Sequence, residues 1–269
     1  MRKFIIAIMK QNLFTPLDNL EKICSQKNIF YLTGFTLIIA ASLLSSFSAR
    51  GQGLQAGVKG SLNSTWLFNN NVSDAAAKYQ TYVPSFGQSY GVSGALYFSK
   101  VIGVEMNFLY STHRQKYTGD SAEYDAETYF NVIEVPLLLK LKSSTGAYLE
   151  IGGVYGLISN VTYSYEDPDA LVDIVRGPND ISDKFAKNTL DGMIGLGVDI
   201  KIGLGLSLTT AMRFWGSFTD LKGVDALGRD LSDQVNLDLY YNGKYQPTHS
   251  ASAGFLLGLT YSIGKIAKD

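Results

Sequence analysis

Hydrophobic and polar residues alternate with a period of two over much of the chain beyond residue 52. In residues 129–142, YFNVIEVPLLLKLK, every second residue from position 133 to 141 is apolar. This is the period of a β-strand, whose successive side chains point to opposite faces of a sheet. No helical period appears in the same region. The pattern predicts eight strands, which begin near Gly53, Phe86, Val101, Glu127, Gly146, Asn188, Leu204 and Ser250.

The predicted connections between these strands alternate between short and long. Short connections lie around Lys100 and at residues 142–146 and 201–205, and the long ones span residues 68–85, 117–126, 166–187 and 219–249. Turns on one side of a membrane and loops on the other produce such an alternation. We therefore predict an all-β fold, an eight-stranded antiparallel up-and-down transmembrane β-barrel with short periplasmic turns and long outer loops.

The two faces of the predicted strands differ in charge. One face is almost free of charge, whereas the other mixes charged residues with glycine and serine. A soluble lipocalin-like barrel also has eight strands, but its apolar face fills the interior. The charge-free face suits lipid, so we expect the mixed face to point inward and its charges to neutralise one another, because unpaired buried charges are costly. The predicted lumenal charge network is Lys59, Glu105, Glu134, Lys140, Glu150, Asp199 and Arg213.

Aromatic residues lie near the ends of the predicted apolar stretches. Such positions are typical of the aromatic belts at membrane interfaces, although scattered core aromatics would give a similar pattern. The expected belt residues are Phe98, Tyr110, Tyr129, Tyr163, Phe214, Phe218 and Tyr261.

The chain has one long apolar run, at residues 29–47, preceded by Lys27 and followed by small residues that end at Gly51. A basic flank, an apolar stretch and a small-residue site are typical of a secretory signal peptide. We predict that residues 1–51 are a signal peptide with an N-terminal extension, cleaved near Gly51, and that residues 52–269 form the outer-membrane β-barrel domain. An uncleaved membrane anchor is the alternative.

Composition narrows the class of protein. Charged residues make up 17% of the 269 residues, below the roughly 25% of an average protein, while 46% are hydrophobic. This argues against disorder and against a nucleic-acid partner. The single cysteine, Cys24, precedes the apolar run, so the mature chain has no disulfide, and zinc-finger, thiol-redox and cysteine-hydrolase chemistry is excluded. We expect no cofactor.

Three segments resemble the PorT-like family of outer-membrane β-barrels of Gram-negative bacteria. They are GLQAGVKGSLNSTW at residues 53–66, VIEVPLLLK at residues 132–140 and GFLLGLTYSI at residues 254–263. The first is similar to a G-x-K-G-G-L-N pattern, with Ser61 where the family often has glycine, and the second to an I-P-L-L-L-K pattern. The resemblance implies the fold and a location in the cell outer membrane, but it implies little about activity.

Two histidines are the candidates for catalysis. His113 and His249 are predicted on the loop side, with Ser111 and Ser250 nearby, so a serine–histidine–carboxylate arrangement is conceivable. No G-x-S-x-G, P-loop or H-E-x-x-H motif is present. We expect both histidines to be solvated, and we predict no catalytic, cofactor-binding or metal-binding residues.

The loop at residues 166–184 holds six acidic residues against Arg176 and Lys184. Carboxylates could bind calcium, but the spacing is not that of an EF-hand, and a solvated acidic surface is the alternative that we favour.

The sequence thus predicts a non-enzymatic outer-membrane protein, either a structural or a scaffold component of the cell envelope, in a secretion or envelope-assembly complex. The alternatives are a narrow pore and a lipid-modifying enzyme. The expected partners are outer-membrane lipid and lipopolysaccharide, the barrel-assembly machinery and envelope proteins that contact the outer loops.

Overall fold

The computed structural model describes residues 53–74, 81–119, 125–166 and 176–264. The predicted signal peptide at residues 1–51 lies outside these ranges. The longer strands are β1 (Gly53–Phe68), β3 (Phe86–Tyr97), β4 (Ile102–Thr118), β5 (Asp125–Lys142), β6 (Ala147–Glu166), β8 (Asn188–Gly203), β9 (Leu206–Ser217) and β10 (His249–Gly264). The short elements are α1 (Asn70–Asp74), β2 (Thr81–Val83), β7 (Arg176–Asp180), a 3₁₀ turn (Ser182–Lys184) and α2 (Gln234–Tyr240).

The eight longer strands form a closed antiparallel ring. Their order is β4, β3, β1, β10, β9, β8, β6 and β5, and β5 pairs again with β4. The first and last strands are neighbours, so Gly53 of β1 is opposite Gly264 of β10. Closure leaves no free edge among these strands and pairs their backbone groups on both sides.

The eight predicted strand starts lie within two residues of the observed ones. The short elements were not predicted: β2 pairs with the end of β4, and β7 pairs with β6. The three tight turns lie where the short connections were expected. Gly146 closes one of them at a φ of +93°, and a Cβ there would lie 2.5 Å or less from the backbone oxygen of Asp199, so this turn requires glycine.

The alternation of the sequence appears as two faces of the ring. Leu137 is 56% exposed on the outside, whereas its neighbour Leu138 is fully buried inside. Along β4, β5 and β10 the outward positions are apolar over residues 102–110, 133–141 and 255–263. The enclosed positions hold the charged and hydroxyl side chains. An apolar exterior around a polar interior is the reverse of the lipocalin-like arrangement.

The aromatic residues expected in belts differ in their surroundings. Phe98, Tyr110 and Phe218 are exposed on the outside, as are Phe214 and Tyr261. Tyr129 is half-buried. Tyr163 does not fit a belt: it is 7% exposed, and its hydroxyl donates to the backbone oxygen of Ala226, at 2.9 Å. The prediction for Tyr163 is wrong because its strand continues beyond the apolar band into a loop-end core.

That loop-end core joins the ends of the strands to the long segment between β9 and β10. We call residues 219–248 of this segment the cap. Apolar side chains of the cap pack on strand-end residues such as Phe130 and Val161. The buried cap residues are Leu221, Val224, Ala226, Leu231, Leu237 and Tyr241. Among the described residues, no helix is long and apolar enough to cross a membrane.

Candidate functional site

The charged interior of the ring is the candidate site. Seven side chains were predicted to point inward, and each lies on an inward position of its strand and is no more than 5% exposed. They come from six different strands, so ring closure brings them together. Their positions are Lys59 on β1, Glu105 on β4, Glu134 and Lys140 on β5, Glu150 on β6, Asp199 on β8 and Arg213 on β9.

Glu105 lies at the centre of this network. Its carboxylate accepts a hydrogen bond from Lys59 Nζ, and its Oε1 lies 3.3 Å from Nη2 of Arg213. Its other oxygen, Oε2, lies 3.4 Å from Nζ of Lys140. One buried carboxylate therefore faces three bases, which offsets the cost of removing all four groups from water.

Arg213 and Glu150 form a two-point ion pair. Nε of Arg213 donates to Oε1 of Glu150 at 2.5 Å, and Nη2 donates to Oε2 at 3.1 Å. Gly195 of β8 lies between them in register, and a Cβ there would lie 2.5 Å from Glu150 Oε1. The missing side chain of Gly195 gives the carboxylate the space to reach the guanidinium across β8.

Asp199 extends the network toward the tight turns. Its Oδ2 lies 3.5 Å from Nζ of Lys140 and 2.7 Å from Nζ of Lys142. Its Oδ1 accepts a hydrogen bond from Thr209 at 2.7 Å. The ammonium of Lys140 also lies 3.7 Å from the ring centroid of Tyr148, a favourable cation–π contact.

Glu134 lies apart from the other six residues and contacts a histidine. Its Oε1 is 3.1 Å from Nε2 of His113, and Ser111 donates a hydrogen bond to its Oε2. On the other side of the imidazole, Nδ1 of His113 is 2.8 Å from the hydroxyl of Thr65. His113 is 8% exposed, so the expectation of a solvated side chain is wrong for this histidine, because the cap covers its end of the ring.

A small cavity of about 40 Å³ lies beside this histidine, beneath the cap. Asp191 also lines it, and Oδ1 of Asp191 has no hydrogen-bond partner among the described residues. A water molecule needs roughly 10–15 Å³ of such space and polar neighbours, so the cavity has room for a few waters.

The groups around His113 have the order hydroxyl, imidazole and carboxylate, but the hydroxyl is that of Thr65 and not of Ser111. Ser111 bonds to the carboxylate instead, so the conceivable serine–histidine–carboxylate arrangement is not formed. Thr65 is 5% exposed, and the adjoining space accommodates only a few waters. The second histidine, His249, is half-buried at the start of β10.

The cap is organised around one buried carboxylate. Asp225 is fully buried and accepts hydrogen bonds from Nε of Arg229 at 2.6 Å and from the hydroxyl of Tyr241 at 2.5 Å. Two backbone N–H groups, of Leu227 and Arg229, also donate to it. Its charge is thus fully compensated within the cap, as a buried carboxylate requires.

Asp220 fixes the start of the cap. Burial tends to raise the pKa of its carboxyl, but hydrogen bonds from the Tyr245 hydroxyl and the backbone N–H groups of Lys222 and Thr248 lower that pKa below its ordinary value. The charged form of Asp220 therefore stabilises the cap.

The acidic loop is described only in part, because residues 167–175 lie outside the described ranges. Asp180 accepts hydrogen bonds from the backbone and hydroxyl of Ser182, and Lys184 lies 3.3 Å from Asp230 of the cap. No group of three histidine or acidic side chains among the described residues is arranged to hold a metal ion.

Sequence reasoning did not assign four interior residues to the network or its surroundings. Lys142 has the inward parity of Lys140 in the alternating pattern, but it also begins a predicted short turn and is absent from the predicted network. Asp191 and the interior rings of Tyr97 and Tyr148 were not singled out. An inward glycine leaves space for a large side chain of a neighbouring strand, and this signal could have indicated the interior tyrosines. A Cβ at Gly197, for example, would lie 2.5 Å or less from the Tyr148 ring.

A ring of eight antiparallel strands with an apolar exterior agrees with the comparison of the sequence with protein families. A family model described as "Outer membrane protein beta-barrel domain" matches residues 44–223. The chain belongs to this family. The protein is therefore an outer-membrane β-barrel protein, and the closed ring is its barrel.

Solved structures similar to this barrel belong to outer-membrane proteins. OprG of Pseudomonas aeruginosa is 13% identical, with a TM-score of 0.42, and the match covers 80% of this chain and 98% of that chain. Neisserial surface protein A is 9% identical, with a TM-score of 0.36 and coverages of 77% and 96%. The outer membrane protease OmpT of Escherichia coli is 8% identical, with a TM-score of 0.36 and coverages of 78% and 97%. No curated protein matches the sequence.

Proposed function

We propose that this protein is a non-enzymatic, non-conducting barrel that crosses the outer membrane and serves the cell envelope as a structural or interaction component. The observation that carries the proposal is the closed interior, in which ion-paired side chains fill the barrel and the cap covers its loop end. At the ion-paired centre and at the capped loop end, such an interior offers neither a path for solutes nor room for a substrate.

The apolar exterior supports the membrane-spanning arrangement. The outward apolar stretches at residues 102–110, 133–141 and 255–263 each match the roughly 9–11 residues that a tilted strand needs to cross a bilayer. We propose that the tight turns lie in the periplasm and the cap outside the cell, as is usual for outer-membrane barrels. Protease added to intact cells should then cut within residues 166–187 or 219–249. Cutting only after the outer membrane is opened would contradict this orientation.

The filled interior supports a non-conducting barrel. An eight-stranded barrel has an interior just wide enough for side chains. Here Glu105, Glu150 and Arg213 meet across it, and all three are buried. A planar bilayer containing the purified protein should therefore show no steady conductance. Steady, ion-selective current would favour the narrow-pore alternative.

The cap supports a role in interaction. Its helix α2 presents Val235, Leu239 and Tyr240 to solvent, at 63%, 69% and 51% exposure. The resemblance to the PorT-like family is consistent with a component of a secretion or envelope-assembly complex. Extraction of outer membranes with mild detergent should yield the protein together with a stoichiometric envelope protein. N-terminal sequencing of the same sample tests the predicted cleavage after Gly51.

A matched pair of variants shows whether a partner binds through the cap. Val235→Ser with Leu239→Ser removes apolar side chains from the exposed face of α2, and the co-purified partner should be lost. Leu237→Ser instead changes a residue that is 2% exposed inside the cap and tests for simple loss of cap structure. If a partner is retained by the double variant, recognition does not use this helix.

One observation favours an enzyme, namely the Thr65–His113–Glu134 order of hydroxyl, imidazole and carboxylate. If this group were catalytic, Thr65→Val would abolish a lipid-modifying activity while the barrel stayed folded. We expect no such activity in the wild-type protein when lipid A and phospholipids are offered as substrates.

A further inference from the structure

The barrel opens at its turn end into a cavity that the proposed function does not use. The cavity measures about 640 Å³, within the usual range for small-ligand sites. Its inner wall includes the buried side chains of Tyr97 and Asp199. Its mouth is formed by the turn at residues 143–146 and by Lys142 and Lys201.

The charges around this cavity are unequal. In the half of the interior nearest the turns, four buried or partly buried bases, Lys59, Lys140, Lys142 and Arg213, face the three acids Glu105, Glu150 and Asp199. Lys201 has the inward parity of Asp199 and adds a further positive charge at the mouth. Lys201 makes no ion pair with any residue that the structure describes. The turn end of the interior is therefore positively charged.

The loop end of the interior has the opposite character. Glu134 and Asp191 lie there, with His113 as their basic neighbour. The loop end thus lacks the excess of bases found at the turn end, so an anion is favoured at the turn end.

Hydroxyl groups line the same cavity. Ser143, Ser144 and Thr145 lie at its mouth, and Ser207 and Ser262 lie on its inner wall. Ammonium groups with several hydroxyl donors suit an oxyanion that accepts hydrogen bonds from many directions, as a phosphate group does. We propose that the turn-end cavity binds a phosphate group, through Lys142, Lys201 and the surrounding hydroxyls.

The apolar part of the lining bears on the source of the phosphate. Val101 and Ile200 line the cavity and are also 52% and 50% exposed on the outside of the barrel. The cavity is therefore continuous with the apolar outer surface. A phospholipid could place its headgroup in the cavity and its acyl chains along these side chains, whereas free phosphate would use only the polar wall.

This inference goes beyond the proposed function, and its test separates the two sources. The full chain is folded in non-ionic detergent and analysed by native mass spectrometry with dioleoylphosphatidylglycerol or with dioleoylglycerol, which has the same acyl chains and no phosphate. In a second arm, inorganic phosphate is titrated by calorimetry. The variants are Lys142→Gln with Lys201→Gln, Lys201→Gln alone and, as a control at the loop end, Lys222→Gln with Lys244→Gln.

We expect the wild-type protein to retain phosphatidylglycerol in preference to dioleoylglycerol. The double change at Lys142 and Lys201 should weaken retention about tenfold, since it removes two partly exposed positive charges from the mouth of the cavity. The control variant should bind as the wild-type protein does. If only inorganic phosphate binds, with the same dependence on the lysines, the cavity takes a free anion.

Equal retention of both lipids together with no calorimetric signal for phosphate would overturn the proposal. So would binding that is the same in all variants. Because Lys142 also contacts Asp199, the double variant could fail to fold. Lys201→Gln alone then decides the test. Lys201 lies at the mouth and has no ion pair with any described residue, so its substitution should lower binding severalfold without disturbing the network. Neither arm depends on conductance or on an envelope partner, so failure here leaves the proposed function intact.

Discussion

Glu105→Gln is the most informative single change in the barrel interior. It removes the negative charge from a side chain that is 1% exposed and contacts three bases. Two of these bases keep another acid: Arg213 keeps Glu150, and Lys140 keeps Asp199. In the described part of the chain, the only ion pair of Lys59 is with Glu105. The substitution thus leaves one buried base uncompensated.

The expected loss in the free energy of unfolding follows from this count. Removing one partner of a buried ion pair typically costs about 3–5 kcal/mol. We expect a loss near the lower limit of that range if water reaches Lys59 from the turn-end cavity, and a loss near the upper limit if it does not. Replacing both partners by apolar residues avoids the uncompensated charge, so Lys59→Met with Glu105→Leu should recover most of the stability.

Glu127→Gln is the matched control, because Glu127 also faces two bases. Arg114 and Lys116 lie 3.5 and 3.7 Å from it, but all three side chains are partly exposed, at 26–44%. Exposed pairs contribute no more than about 1 kcal/mol. Urea unfolding in lipid vesicles, followed by tryptophan fluorescence and by heat-modifiable gel mobility, measures both variants. A loss at Glu105 no larger than that at Glu127 would refute the assignment of Glu105 as the centre of the network.

Four further changes test other parts of the barrel. Leu137→Arg places a charge against lipid and should lower the free energy of unfolding by roughly 2–4 kcal/mol in vesicles; an unchanged midpoint in urea would mean that this face does not contact lipid. Glu134→Ala leaves His113 without its carboxylate and should cost about 1–3 kcal/mol, measured in the same way. Asp225→Ala removes the centre of the cap, so amide exchange should rise in residues 219–248 while the strands stay protected. The depressed pKa of Asp220 stabilises the cap above the ordinary carboxyl pKa of about 4, and this contribution is lost as the pH falls through the lower, folded-state pKa. Asp220→Asn should therefore remove that part of the acid sensitivity of cap exchange, and an unchanged pH profile would argue against the assignment.

The strands could be predicted from the sequence because, in a strand with a period of two, each residue has only two possible orientations, toward the interior or toward the exterior. Each strand separates two environments, so a residue and its neighbour, such as Leu137 and Leu138, must differ in surroundings. The short turns then fix which strands are adjacent. This reasoning located all eight strands of the barrel and the inward parity of the seven charged residues.

The pairing of those charges could not be predicted. The position of a residue in the alternating pattern gives the face on which its side chain lies, but not which neighbouring side chain it contacts. Lys140 is opposite Glu150 in register, yet its ammonium lies near Glu105 and Asp199. Glu150 turns the other way and reaches Arg213 past Gly195. Long side chains span two strands inside a narrow barrel, so the partner of a charge depends on which neighbouring positions are glycine.

The cap could not be predicted for a different reason. Residues 219–248 combine short apolar groups with turns, and they show neither the period of a strand nor that of a helix. Leu221 and Leu237 are buried, whereas Leu239 is exposed, and nothing local distinguishes them. Their burial depends on strand-end residues such as Phe130 and Tyr163, which are distant in sequence. A core formed by contacts of this kind leaves no periodic signal.

Electrical neutrality is a signal that the sequence did contain. The seven predicted lumenal residues include three bases and four acids, and a buried network with an excess acid is unfavourable. The mixed face offers two further bases, Lys201 and Lys142. Lys201 is exposed, whereas the structure places Nζ of Lys142 2.7 Å from Asp199. With Lys142 included, the charges of the network balance. Asp191 is a further inward acid: it lines the cavity beside His113, and one of its carboxylate oxygens has no hydrogen-bond partner among the described residues.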